Sequence, residues 1–214
     1  MQNMETEALI QIGLIIGAYL LGSVSSAYYV TKWKKGADIR ELGSGNAGAR
    51  NVMLTVGASL GIGVAIFDIL KGAVPILFAK ALEMPPHTVT LTALAAISGH
   101  NWPIFLQFRG GSGLATLGGV ILPLMPREAF LLSLVGMGLG WTWLRFPAWC
   151  RKAPPIESSC LVIYAICPFL AWYFGEPIYL VTLPLYVGIP IIIRRITLLK
   201  NGLYQRVDDF RKTR

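Results

Sequence analysis

Apolar stretches of about 20 residues recur along this chain, and a polypeptide can bury that many only in a bilayer, where each backbone polar group must find its partner within the chain. The segment from Leu9 to Val30 carries no Asp, Glu, Lys or Arg. Further candidates run from Val52 to Leu82, His87 to Phe105, Leu114 to Met125, Ala129 to Leu144, Ser158 to Phe174 and Ile178 to Ile193. The second is long enough to tilt strongly or to break near Asp68 to Pro75, and the fourth is short. With 14% charged residues and a mean hydropathy of +0.58, a soluble domain of 214 residues is excluded. The expected fold is all-α, a polytopic membrane protein of about seven transmembrane helices, with residues 1–214 forming one domain.

Basic residues orient such a chain, because Lys and Arg near helix ends stay on the cytoplasmic side. Lys32, Lys34, Lys35, Arg40 and Arg50 lie in the first loop, Arg109 in the second, Arg145, Arg151 and Lys152 in the third. Arg194, Arg195, Lys200, Arg206, Arg211, Lys212 and Arg214 lie in the tail, leaving Lys80 and Arg127 on the opposite face. The prediction is an outside N-terminus and a cytoplasmic C-terminus. The net charge of +8 then serves orientation and attraction to anionic membrane lipid, and calls for no nucleic-acid partner. Met1 to Ala8 has two glutamates and no basic residue, unlike the start of a cleavable signal peptide, so Leu9 to Val30 is expected to be retained. Cys150, Cys160 and Cys167 show no metal-type spacing and read as buried thiols.

Two glycine-rich segments fall at helix ends on the same predicted face. The first is Gly43-Ser44-Gly45-Asn46-Ala47-Gly48-Ala49-Arg50-Asn51, and the second is Gly110-Gly111-Ser112-Gly113-Leu114-Ala115-Thr116. Glycines let backbone N–H groups turn toward a bound anion, and a following helix adds unpaired amides and a positive dipole end. Together they read as a phosphate cradle. The competing reading of the first is an ordinary turn with Asn51 as a helix cap.

Other polar groups read more blandly. Asp68 and Lys71, three apart in an apolar span, share a helix face and should pair. Ser23, Ser25 and Ser26 are either interhelical hydrogen-bonding groups or a substrate wall. His100 has no neighbouring carboxylate in sequence and reads as a packed histidine, with proton transfer the minority role. No Ser/His/Asp set, His-x-x-x-x-Asp box or Cys/His metal spacing is present, so any catalysis should work by positioning and electrostatics.

Over about its first 120 residues the chain resembles the bacterial acyl-phosphate:glycerol-3-phosphate acyltransferases. The resemblance is carried by Gly22-Ser23, Asp38-Ile39-Arg40, Gly43 to Val52, Asp68-Ile69-Leu70-Lys71-Gly72, Gly99-His100, Pro103 to Leu106 and Gly110 to Thr116. It implies a seven-helix enzyme of the bacterial inner membrane. The enzyme would transfer a fatty acyl group from acyl phosphate to the 1-hydroxyl of glycerol 3-phosphate, on its cytoplasmic face, without metal or cofactor. The products would be lysophosphatidate and phosphate. Ser44 and Asn46, with the backbone of Gly45 and Gly48, would hold one phosphate, and Gly110, Gly111 and Gly113 another. Ser23 and Arg40 would orient the polyol, and Asn51, Ser112 and Thr116 complete the substrate-binding set. The leaving phosphate would take the acceptor's proton.

The chain departs from the family pattern at several places. Ser112 stands in place of a lysine, Arg50 of a threonine and Leu54 of an arginine. The histidine and asparagine of a C-terminal Arg-His-x-x-Asn-Ile pattern fall on Ile192 and Arg195. Arg50 and Arg195 are expected to restore the lost positive charge. The alternative is a catalytically degenerate relative that binds a phosphorylated lipid or regulates an active homologue.

Overall fold

In the computed structural model, residues 2–145 and 165–200 are described, and they are helical apart from short connections. Helices α1 (Gln2–Gly22), α2 (Ser26–Lys35), α3 (Ala49–Thr55), α4 (Ala58–Ala81), α5 (Pro86–Asn101), α6 (Leu114–Leu124) and α7 (Pro126–Arg145) follow in order. α8 covers 165–173 and α9 is Ile178–Lys200. Among the described residues, Met4–Lys35, Ala58–Ala81 and Ile178–Leu198 are long and apolar enough to cross a membrane, and Leu114–Leu124 is a shorter apolar helix. Cys150, Cys160, the start of the Ser158 to Phe174 segment and the basic residues beyond Lys200 lie outside the described residues. Cys167 is a buried free thiol.

The helix breaks differ from the sequence expectation in two places. Leu9 to Val30 is not one helix: the chain breaks between Gly22 and Ser26, because the Ser25 side chain accepts from Tyr28 N and caps α2. The break leaves the Val24 carbonyl without a helical donor, and Lys71 Nζ reaches it from α4 at 3.0 Å. The second segment breaks at Val56–Gly57 and not near Asp68 to Pro75, through which α4 runs unbroken. α3 folds back on α4 so closely that a Cβ on Gly61 would meet Met53 and the Ala49 carbonyl. Asp68 is neutralised by Lys71 one turn along, at 2.8 Å, and Pro75 removes a single donor, so neither ends the helix. α7 begins earlier than expected, on Pro126, and α9 runs on to Lys200, carrying Arg194 and Arg195 within the helix.

α5 is the central helix, packed by α1, α4, α6 and α9. Its Ile97 packs in a core with Ile76, Val120, Met125, Leu183 and Val187, all essentially without exposure. Large apolar residues such as Ile62, Ile66, Leu77 and Phe78 of α4 are half exposed, as a lipid-facing surface requires. α4 and α6 approach through paired notches: a Cβ on Gly72 would run into the Thr116 carbonyl, and one on Gly119 into the Ile69 carbonyl. That contact fixes the first turn of α6 against the Asp68 level of α4.

Candidate active site

The first glycine-rich loop is organised by one side chain. Asn51, 2% exposed, donates from Nδ2 to the carbonyls of Ile39 (3.1 Å), Leu42 (2.9 Å) and Asn46 (3.1 Å), and its Oδ1 accepts from Ser44 N at 3.1 Å. Asn51 is therefore not the helix cap; Gly48 occupies that position without a side-chain hydrogen bond. The N–H groups of Gly45 and Gly48 are also used inside the loop, on Leu42 O and Asn46 O at 2.9 Å each. This corrects the expectation that those two amides point at an anion. From this loop and the start of α3, the side chains of Ser44, Asn46 and Arg50 belong to residues that line a cavity.

Upstream, Asp38 caps the short turn Ile39–Glu41 by accepting from Arg40 N at 2.9 Å. The Arg40 guanidinium returns to Asp38 at 2.6 Å and also donates to the Leu106 carbonyl at 2.9 Å, tying the first loop to the second. Those hydrogen bonds hold the Asp38 carboxyl below the usual carboxylate range and raise the Arg40 guanidinium above its own. Lys35 Nζ bonds to the Thr55 carbonyl, closing α2 onto α3.

The second loop turns back through Gln107 and Phe108, both left-handed at φ 54° and 60°. It then pairs with the end of α5, Gly110 N on Asn101 O and Gly111 N on His100 O, at 3.1 Å each. Here too the glycine amides expected to cradle phosphate are already used. Their carbonyls are held from α9: the buried Arg194 donates from Nη2 to Gly110 O at 2.7 Å and from Nε toward Gly111 O at 3.4 Å. The neighbouring Arg195, expected from the sequence to supply the compensating charge, is only half buried. Gly113 caps α6, so the first-turn amides of that helix, and not those of Gly110 and Gly111, are the backbone groups left without intrahelical partners.

The two loops converge on a cavity of about 340 Å³. Ser44, Asn46, Gly48, Arg50 and Asn51 reach it from the first loop and α3, and Ser112, Leu114 and Ala115 from the second loop and α6. Met53 and Ala65 make one wall apolar, and Asp68 and His100 stand on the inner wall. Ser23, Arg40, Gly45, Gly110, Gly111, Gly113, Thr116 and Arg195 are not on its wall. Ser23 is fully buried and donates to Tyr19 O at 2.8 Å, and Thr116, in the first turn of α6, is fully buried against Gly72 of α4. Among the described lining residues, Arg50 is the one Lys or Arg.

His100 differs most from its sequence reading. Its Nδ1 lies 3.6 Å from Asp68 Oδ1, slightly beyond hydrogen-bond distance, so a carboxylate does face the imidazole, brought from 32 positions away by the α4–α5 packing. The same carboxylate pairs with Lys71 and lies 3.5 Å from Ser26 Oγ. Among the described residues, no group of three or more His, Cys, Asp or Glu is placed to hold a metal ion.

A family model described as glycerol-3-phosphate acyltransferase matches residues 12–201. Glycerol-3-phosphate acyltransferase 5 of Dehalococcoides mccartyi is 41% identical over 167 residues, 78% of this chain and 67% of that one. Glycerol-3-phosphate acyltransferase 2 of Moorella thermoacetica is 41% identical over 163 residues, 76% of this chain and 78% of that one. Among solved structures, the fold is similar to PlsY (YgiH), an integral membrane glycerol 3-phosphate acyltransferase. Its glycerol 3-phosphate form superposes with a TM-score of 0.77 at 32% identity, over 92% of this chain and 93% of that one. Its lysophosphatidic acid form gives 0.74 at 30% identity.

Proposed function

This chain belongs to the glycerol-3-phosphate acyltransferase family of integral membrane enzymes, and on that premise we propose that it transfers a fatty acyl group from acyl phosphate to the 1-hydroxyl of glycerol 3-phosphate. The observation that carries the reading is the convergence of both glycine-rich loops on one cavity that is polar at Ser44, Asn46, Arg50 and Ser112 and apolar at Met53, Ala65 and Leu114. Substrates with a phosphate at one end and a hydrocarbon chain at the other need both surfaces. Arg50, Ser44, Asn46 and the first-turn amides of α6 hold the phosphate groups. The acyl chain leaves past Met53 toward the half-exposed Leu54, Ile62 and Ile66, and so into lipid. The acceptor oxygen attacks the acyl carbon, phosphate departs, and lysophosphatidate is formed.

The same reading places seven spans in a bacterial inner membrane as a single domain, with the N-terminus outside and the active face cytoplasmic. Its support is that Tyr19, late in α1, donates to Trp102 O beside the second loop, while Arg194, late in α9, reaches Gly110. The ends of α1 and α9 nearest the loops thus lie at the cavity's end of the bundle, and the start of α1 lies far from it. The test is chemical. Purified protein given acyl phosphate and glycerol 3-phosphate should release phosphate and lysophosphatidate together, each dependent on the other substrate; protein that binds both and releases neither would end the proposal.

A further inference from the structure

We propose that the exposed side of α2 and the tip of the second loop form a docking surface for anionic phospholipid headgroups, beside the substrate cavity and separate from it. The inference stands independently of the acyl-transfer reading.

α2 continues the apolar span that begins at Met4, and it turns from apolar to basic within its own length: Tyr28, Tyr29 and Val30 give way to Lys32, Trp33, Lys34 and Lys35. Ala27 and Thr31 are buried against the bundle. Tyr29, Lys32 and Trp33, spaced i, i+3 and i+4, share the other side and are exposed, Trp33 at 78%. Lys35 is spent on the Thr55 carbonyl and Arg40 on Asp38. Among the described residues, Lys32 and Lys34 make no ion pair or side-chain hydrogen bond; Lys34 Nζ lies 5.9 Å from the Trp33 ring centroid.

The second loop brings the same two kinds of side chain to the same level. Pro103 O accepts from Leu106 N at 3.1 Å and from Phe108 N at 3.0 Å, and the left-handed Gln107 and Phe108 turn the chain. Phe105 and Phe108 are left more than half exposed, followed by the exposed Arg109, whose side chain also has no ion pair or hydrogen bond among the described residues. Arg40 joins the two parts, since its guanidinium donates to Leu106 O at 2.9 Å and lies 5.8 Å from the Tyr28 ring. The intervening turn Ile39–Glu41 exposes one acid, Glu41, against Lys32, Lys34 and Arg109, so the surface stays basic. Tyrosine and tryptophan rings settle between hydrocarbon and water, and Lys or Arg beside them reach the phosphates of anionic lipid. Because the span from Met4 runs directly into α2, the anions within reach are those of the bilayer surface. Lys32, Trp33, Lys34, Phe108 and Arg109 do not line the cavity. A bound lipid therefore braces both loops, through Lys35 on α3 and Arg40 on the second loop, without entering the cavity.

The test uses the full chain in nanodiscs of equal parts phosphatidylglycerol and phosphatidylethanolamine, with native mass spectrometry reading which lipids stay bound on release. Each cation near an anionic surface contributes about fivefold. Wild type should therefore retain phosphatidylglycerol over phosphatidylethanolamine by about fivefold or more, and a weaker preference would overturn the proposal. In K32Q/K34Q/R109Q, whose three side chains are exposed and uncommitted, that preference should fall about fivefold or more; a smaller fall would also overturn it. K80Q removes a cation that bonds to Pro123 O at the other end of α4, and should lower the preference less than about twofold. A larger fall there would mean diffuse surface charge and would sink the docking surface. Added glycerol 3-phosphate should leave the retained lipid in place; displacement would put that lipid in the cavity and end the proposal. Retention is read without turnover, so a chain that releases no phosphate fails the acyl-transfer reading and leaves this result standing.

Discussion

The two loops that meet at the cavity are held by opposite means. The first is self-contained: Asn51 satisfies three carbonyls and one amide within twelve residues of itself. The second is held from outside, by the last carbonyls of α5 and by Arg194, 83 and 84 positions away on α9. A loop ordered by its own side chain forms once its helix forms. A loop ordered by a distant helix is completed only when the bundle closes. The difference separates local from global contributions to one site, and mutations should expose it.

The largest effect should come from Asn51→Ala. It removes four hydrogen bonds at about 1 kcal/mol each and strands Ser44 N, while the three carbonyls keep one backbone donor apiece, a loss on the order of 3 to 4 kcal/mol and of the first loop's order. Thermal unfolding in detergent should show the drop, and phosphate release should become undetectable. If stability is unchanged, the loop is not organised by Asn51. Next, Arg194→Ala removes charge-assisted bonds to two carbonyls, worth about 1.5 to 3 kcal/mol. Here KM for glycerol 3-phosphate should rise between ten- and a hundredfold with the first loop intact, Arg194→Lys should recover part of that, and Arg195→Ala should do little.

Ser112→Lys adds a cation to a cavity wall whose described residues include one other, Arg50. Inorganic phosphate should then bind about tenfold more tightly, as measured by competition with glycerol 3-phosphate. The smallest effect belongs to Arg40→Ala, which cuts the tie between the loops at a partly exposed pair and should lower turnover about two- to threefold. Its signature is in pH. Arg40 lowers the folded pKa of Asp38, so the pair's contribution is present above the unfolded value and is lost as pH falls through the folded one. In the variant, Asp38 should protonate at a higher pH than in the wild type, which carboxyl NMR would read.

Much of this was legible in the residues. Apolar length gave the helices, Asp68 and Lys71 three apart gave their ion pair, and the two glycine-rich segments gave the cavity's location. What failed was direction. Glycine amides look available in a sequence, yet Gly45, Gly48, Gly110 and Gly111 all turn inward to close their own loops. Asn51 looked like a ligand or a cap because composition cannot say which way an amide faces. Arg194 and Arg195 are about 100° apart on one helix, and only the packing of α9 decides which reaches the glycines. The approach of Asp68 to His100 is invisible for the same reason, since it depends on how α4 and α5 pack.

The interlocked glycines of α4 and α6 have a consequence beyond packing. Because the Gly72 and Gly119 notches admit backbone from the opposite helix, neither rod can slide along the other. A thinner or thicker bilayer must therefore tip the pair as one rigid body, and the spacing between the acidic level of α4 and the amides of α6 should stay constant across membranes of different lipid.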